Sequence, residues 1–205
     1  MKLLFRDFKT GVKSALLLGI MDDKRVDRVA MLKLYYRAIV LPMIISVIIG
    51  AILISFYGSI PNSFINSILP YINTGILSNV STSIILEISI IFLYLVLFPF
   101  TIMIFSLIFH FISKILLRLY NGTHTNTFSA SIYGAMPFVL FFWVLMIPNF
   151  GVIFYVLLVW AIITFIYASS TKHNISKGRA IGSLASFIIV ALLIGFAVIG
   201  FIAIL

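Results

Sequence analysis

After Arg37 the chain runs 168 residues with only six charged side chains: Glu87, Lys114, Arg118, Lys172, Lys177 and Arg179. Long apolar runs fill the spaces between them. A soluble domain carries about 25% charged residues, because its surface must be wetted. Here the whole chain of 205 residues has 9% charged and 63% hydrophobic residues. So few polar groups could not cover a globular core, which excludes a soluble enzyme and a disordered regulator alike. The fold class that remains is all-α, a polytopic membrane protein built as one domain. The absence of cysteine removes disulfides, thiolate metal sites and cysteine nucleophiles together.

A crossing needs roughly 20 apolar residues, and five stretches meet that need. They run over residues 38–57, 83–117, 130–147, 152–168 and from 180 to the C-terminus. The second has 35 residues, ~52 Å of helix at ~1.5 Å per residue, so it must tilt, protrude or kink. Pro99 is the kink site, since it lacks an N–H and crowds the carbonyl four residues back. Dividing this stretch into two spans would strand backbone polar groups in lipid, so one long helix is expected.

The loops orient the bundle. Residues 59–82 and the Pro148–Gly151 turn carry no charge, whereas 114–128 holds Lys114 and Arg118, and 171–179 holds Lys172, Lys177 and Arg179. Basic and uncharged connections alternate strictly, and the N-terminus belongs to the basic set. The positive-inside rule then places the N-terminus in the cytoplasm and the C-terminus outside, in the cell membrane. Five crossings satisfy this pattern; four or six do not. The first apolar run begins only near Ala38 and has no small-residue cleavage pattern after it, which argues against a cleaved signal peptide.

Residues 1–37 hold nine of the fourteen basic residues and four of the five acids. Leu4, Phe5, Phe8, Val12, Ala15 and Leu16 fall on one side of a helical wheel, with Lys2, Arg6, Lys9 and Lys13 on a neighbouring face. That pattern describes a helix in the headgroup layer, its cations turned toward phosphates. Lys2, Phe5, Arg6, Phe8, Lys9 and Lys13 are the expected membrane-surface contacts. Anionic lipid headgroups are the expected partner, and nucleic acid is not. Asp22 and Asp23 can cap a second helix leading through Val26, Val29 and Leu32 into the first span. Residues 1–37 thus form an interfacial segment ahead of a transmembrane domain, 38–205.

Chemistry-bearing groups are few. Glu87 is the one carboxylate beyond residue 37, and an acid within a span is a candidate proton or cation site. Reaching the outer interface or capping a helix N-terminus explains it equally. With His110 it would form the polar route of a small transporter or channel. His110, His124 and His173 all map to the cytoplasmic side. Their spacings of 14 and 49 residues match no ligand motif, so independent interfacial histidines are expected, with no metal and no cofactor. A metal-dependent lipid-handling enzyme would need all three to converge. No Ser/His/Asp set shares one depth, and no phosphate loop or zincin pair occurs. Small residues at four-residue spacing, Gly178, Gly182 and Ser186, and Ser46 with Gly50, mark expected helix contacts. Trp143 and Trp160 lie inside their spans, where packing explains them better than interfacial anchoring.

From Tyr120 onward the sequence resembles the Yip1 family of small membrane proteins. Gly122 and Phe128 bracket a polar connection leading into Ser131-Ile132-Tyr133-Gly134-Ala135-Met136-Pro137, which is similar to the family's Tyr-Gly-x-x-x-Pro signature. A short Pro148/Gly151 turn, Trp160 and a small basic loop follow in the same order, and the likeness covers about residues 85–200. The resemblance implies five spans, a cytoplasmic N-terminus and a non-enzymatic factor working through lipids and other membrane proteins. It makes Gly122, Phe128, Tyr133, Gly134 and Pro137 candidate partner contacts; a packed kink is the alternative. The Asp-Leu-Tyr-Gly-Pro motif of the GTPase-linked eukaryotic branch is absent, which points to a prokaryotic-type member.

Overall fold

The computed structural model describes residues 2–16, 27–57, 88–89, 91–141, 143–144 and 152–204, and among these there are helices and no strand. The main elements are α1 (Lys2–Ala15), α2 (Arg28–Tyr57), α3 (Phe98–His110), α4 (His124–Phe141), α5 (Val152–His173) and α6 (Lys177–Ile204). Two π-helical turns, Leu93–Leu97 and Phe111–Leu116, extend α3 at either end. Four helices are long and apolar enough to cross a membrane: Arg28–Ile52, Leu93–Leu116, Val152–His173 and Lys177–Ile194. The chain is a multi-pass membrane protein.

The expected third span corresponds to α4, which is not among those four. Its first half, His124-Thr-Asn-Thr-Phe-Ser-Ala-Ser, is too polar. The reason is position. Twelve of its eighteen residues are buried, and α1, α2, α3 and α5 all pack on it. A helix surrounded by protein has no need of a lipid-facing apolar stripe. Gly134 makes the tightest of these approaches, since a Cβ there would lie 2.7 Å from Phe165 Cβ and 3.1 Å from its Cα.

The second stretch holds as one helix over residues 91–116, with a local solution at Pro99. In the π-turn ahead of it the Phe98 N–H donates to Leu93 O, five residues back. The Tyr94 carbonyl would then look to residue 99, which is proline and has no N–H. Tyr35 on α2 supplies the missing donor, its hydroxyl bonding to Tyr94 O. An α2 side chain thus satisfies a backbone group that proline orphans within the membrane, as a span requires.

The N-terminal reading needs correction on two points. First, α1 does not lay its apolar face on lipid alone. It packs against α2, α4 and α5, with Phe8 and Val12 against the core. Gly11 comes so close that a Cβ would sit 3.3 Å from Ala38 Cβ and 3.5 Å from Met136 Sδ. Asp7 is buried and pairs with Arg37 at 2.8 Å, while Trp160 Nε1 donates to Ala15 O at 2.6 Å. A glycine and a buried ion pair let the helix sit closer to protein than its wheel suggested. Arg6, Lys9 and Lys13 remain exposed; the side chains of Lys2 and Phe5 lie outside the described residues. Second, α2 is capped by Asp27, whose Oδ2 accepts from the Ala30 N–H at 3.2 Å. Asp22 and Asp23 lie outside the described residues.

Candidate functional site

Cations and imidazoles collect at one end of the bundle. Helix α4 runs antiparallel to both α3 and α5, so its N-terminus meets their C-termini, and the start of α2 lies beside it. His110, the last residue of α3, faces His124 at 5.6 Å between ring centroids and His173 at 6.3 Å. The three histidines are therefore not independent, as their sequence separation suggested. Antiparallel packing brings together residues 14 and 49 positions apart, which no local motif could reveal.

Thr127, fully buried one turn into α4, joins two of them. Its Oγ1 lies 2.7 Å from His110 Nδ1 and 3.0 Å from His173 Nε2. A hydroxyl has one proton and two lone pairs, so Thr127 can donate to one imidazole while accepting from the other. Reversing both bonds passes a proton between them. The buried His173 ring lies tilted against Tyr120 at 4.1 Å between centroids, and Gly122 presses on it so closely that a Cβ would collide with His173 Nδ1. Lys114, in the second π-turn, donates to Gly122 O at 3.0 Å and fixes the loop.

The third histidine belongs to a separate chain of bonds. Arg28 donates from Nη2 to His124 Nδ1 at 2.7 Å. An arginine only donates, so Nδ1 carries the lone pair and Nε2 the proton. Nε2–H then donates to Ser106 Oγ at 3.2 Å, and the Ser106 hydroxyl donates in turn to Met103 O at 2.8 Å. Burial first, and the Arg28 guanidinium second, hold His124 below the ordinary imidazole range. His124 lies ahead of the apolar part of α4, which begins at Ala130.

This arrangement suits a cation poorly. The nitrogens facing one another are occupied by Thr127 and by a guanidinium, and among the described residues no three His, Cys, Asp or Glu side chains are grouped to hold a metal. Beside it, His110 and His124 line an open groove of about 420 Å³ whose remaining walls are Leu107, Ile108, Phe111 and Ile115. What the site offers is hydrogen-bonding polarity and positive charge next to an apolar trough.

The other expected site residues fall elsewhere. Phe128, Tyr133, Gly134 and Pro137 are buried inside α4, so in this structure they pack the bundle rather than form a surface for a partner. Gly122 shapes the histidine pocket, and Glu87 lies outside the described residues. Among the small-residue stripes, Ser46 and Gly50 are buried, but a Cβ at Gly178 or Gly182 would meet nothing within 4 Å. Among the described residues, no helix packs against the side-chain position of either glycine. Trp160 does pack, stacked on Phe141 at 5.6 Å. Sequence reasoning missed Arg28, Ser106 and Thr127; the polar run at the start of α4, unusual in so apolar a chain, was the available signal. Compared with family models, curated proteins and solved structures, the chain matches none.

Proposed function

We propose that the chain is a non-enzymatic, five-span membrane protein of the Yip1 type, acting through contacts with lipids and with other membrane proteins to organise the bilayer or recruit partners. Its N-terminus lies in the cytoplasm, its C-terminus outside the cell, and α1 sits at the cytoplasmic interface with Arg6, Lys9 and Lys13 toward anionic headgroups. The observation that carries the topology is the hydrogen-bonded meeting of His110, Thr127 and His173. It puts the ends of α3 and α5 at the same end of the bundle as the start of α4. The fifth crossing begins at Ala130, in the apolar half of α4, and takes in the residues that follow to 147, with His124 at its cytoplasmic edge. Lys114, Arg118, Lys172, Lys177 and Arg179 then share one side, as the positive-inside rule requires.

The contact role is supported by what the outer faces present. Ile48 on α2, Leu107 on α3, Val159 on α5 and Leu193 on α6 are all exposed, on helices whose neighbours in the cell are lipid or other spans. The chain has no cysteine, so topology can be read directly by single-cysteine labelling. Ser176→Cys should react with a membrane-impermeant maleimide only from the cytoplasmic side, and a cysteine appended after Leu205 only from outside. Labelling of both from one side would end the five-span reading.

A second reading, a proton-linked transporter, is favoured by the Thr127 relay between His110 and His173. Purified protein in vesicles should carry no proton flux under the leading reading. Flux that collapses in His110→Gln and in Glu87→Gln would replace it.

A further inference from the structure

The groove beside the histidines has two unlike halves. Leu107, Ile108, Phe111 and Ile115 give it a wall of exposed apolar side chains. At its polar edge stands His124, and on His124 rests the exposed guanidinium of Arg28. Arg28 makes no ion pair among the described residues. Its sequence neighbour Asp27 is spent on the Ala30 N–H. Lys114, one turn beyond His110, is turned away to Gly122 O, so Arg28 is the cation at the groove among the described residues.

We propose that this groove binds one anionic glycerophospholipid, with an acyl chain along Leu107, Ile108, Phe111 and Ile115 and the phosphate on the Arg28 guanidinium. Charge complementarity selects the occupant. The free N–H groups of a planar guanidinium match phosphate oxygens two at a time, and His124 holds the fork in place from behind. A zwitterionic lipid would bring its own ammonium toward Arg28. A membrane-spanning helix from a second copy would bring at most Glu87, the only acid beyond residue 37, and the acids of residues 1–37 come with an excess of cations that Arg28 would repel. This inference rests on the lipid-contact reading above and gives it a place and a headgroup class.

The test uses the full-length, delipidated protein in detergent, titrated with dioleoyl-phosphatidylglycerol or dioleoyl-phosphatidylcholine and read by native mass spectrometry. The wild type should retain one phosphatidylglycerol in preference to phosphatidylcholine. Arg28→Gln should weaken that retention about tenfold, the worth of one charge-assisted contact, and Arg28→Lys should recover part of it. Leu107→Ser should weaken both lipids, and soluble glycerol phosphate should not compete. Because Arg28 is exposed, Arg28→Gln should keep the thermal midpoint of the lipid-free protein at about pH 8, where His124 is neutral in the folded and unfolded chain alike.

Equal retention of the two lipids by the wild type would overturn the site while leaving the lipid-contact reading intact. So would a preference that survives Arg28→Gln but disappears in Lys9→Gln/Lys13→Gln, since selectivity would then belong to α1. Competition by glycerol phosphate, or a dimer that excludes lipid, would also overturn it. Failure of the broader reading shows up separately, as solute flux in vesicles.

Discussion

Helices α4 and α6 follow opposite rules. Helix α6, after a first part that holds Lys177, Arg179, Ser183 and Ser186, runs on from Phe187 as apolar residues and glycine alone, and its side chains Ile189, Leu192 and Leu193 are exposed. Helix α4 carries a run of histidine, threonine, asparagine and serine, and it is the one most enclosed by its neighbours. In water the apolar helix would be inside and the polar one out. In a bilayer the surroundings are as apolar as leucine, so hydrophobicity no longer selects the interior. Small side chains that permit close approach, and hydroxyls that find partners across helices, select it instead. Thr127 Oγ1 of α4, bonded to His110 of α3 and His173 of α5, is such a hydroxyl; Ser131 Oγ and Thr164 Oγ1 instead donate to carbonyls of their own helices, Thr127 O and Trp160 O, each at 2.9 Å.

The sharpest way to break this comparison is to add the same methyl group to both helices. At Gly134 a Cβ must displace Phe165, backbone included, so Gly134→Ala should destabilise the protein by about 2–3 kcal/mol, the upper range for overpacking. At Gly182 the Cβ meets nothing, so Gly182→Ala should be neutral or gain up to about 1 kcal/mol from helix propensity. Thermal midpoints of the two variants in one detergent would decide it. If both fall equally, the glycine on α6 faces a neighbour after all, and burial does not separate the two helices.

Helix α1 tests whether a charged helix can belong to the interior as α4 does. Asp7 is buried and Arg37 half-exposed, 2.8 Å apart. Removing one partner of a buried pair leaves an uncompensated group; with Arg37 partly in water the loss should be about 2 kcal/mol rather than the full range. Asp7→Ala should therefore lower the midpoint and raise hydrogen exchange over residues 2–15. Arg6→Gln, at an exposed cation 3.8 Å from the same carboxylate, should change it by less than about 0.5 kcal/mol. Equal effects from the two substitutions would mean that α1 rests on the surface and that the buried pair contributes nothing.

How much of this was legible follows the same division. The lipid-facing helices announce themselves by composition, and four of the five expected spans coincide with helices that meet the length and hydropathy needed to cross. The continuous helix around Pro99 could be argued from the cost of a turn in lipid. Its remedy could not, because Tyr35 and Tyr94 are 59 residues apart. The wheel of α1 shows which residues share a face but not whether lipid or protein covers that face; Gly11 and Asp7, the two residues out of keeping with a lipid-facing surface, were the available signs. The histidine cluster was hidden for a related reason. Its members sit at helix ends, and only the antiparallel order of α3, α4 and α5 brings those ends together.

The smallest expected effect belongs to His124, where the polar end of α4 meets solvent. Burial and Arg28 hold its folded pKa below the ordinary imidazole value of 6.5. The folded state thus prefers the neutral ring, with Nδ1 accepting from Arg28. Its contribution to stability is complete above 6.5 and is lost as pH falls toward the lowered folded value, because the unfolded chain takes up the proton first. Over about pH 7 to pH 5, the range in which an imidazole titrates, the wild-type midpoint should drop on acidification. His124→Gln should drop less, since an amide can hold Ser106 without titrating. Arg28→Gln should fall between the two, because it removes the guanidinium but leaves the burial. A His124→Gln profile as steep as wild type would place the titrating group elsewhere, with His110 and His173 across the Thr127 bridge the next to substitute. If Arg28→Gln matches wild type while His124→Gln flattens the profile, burial alone sets the shift and the guanidinium contributes only geometry.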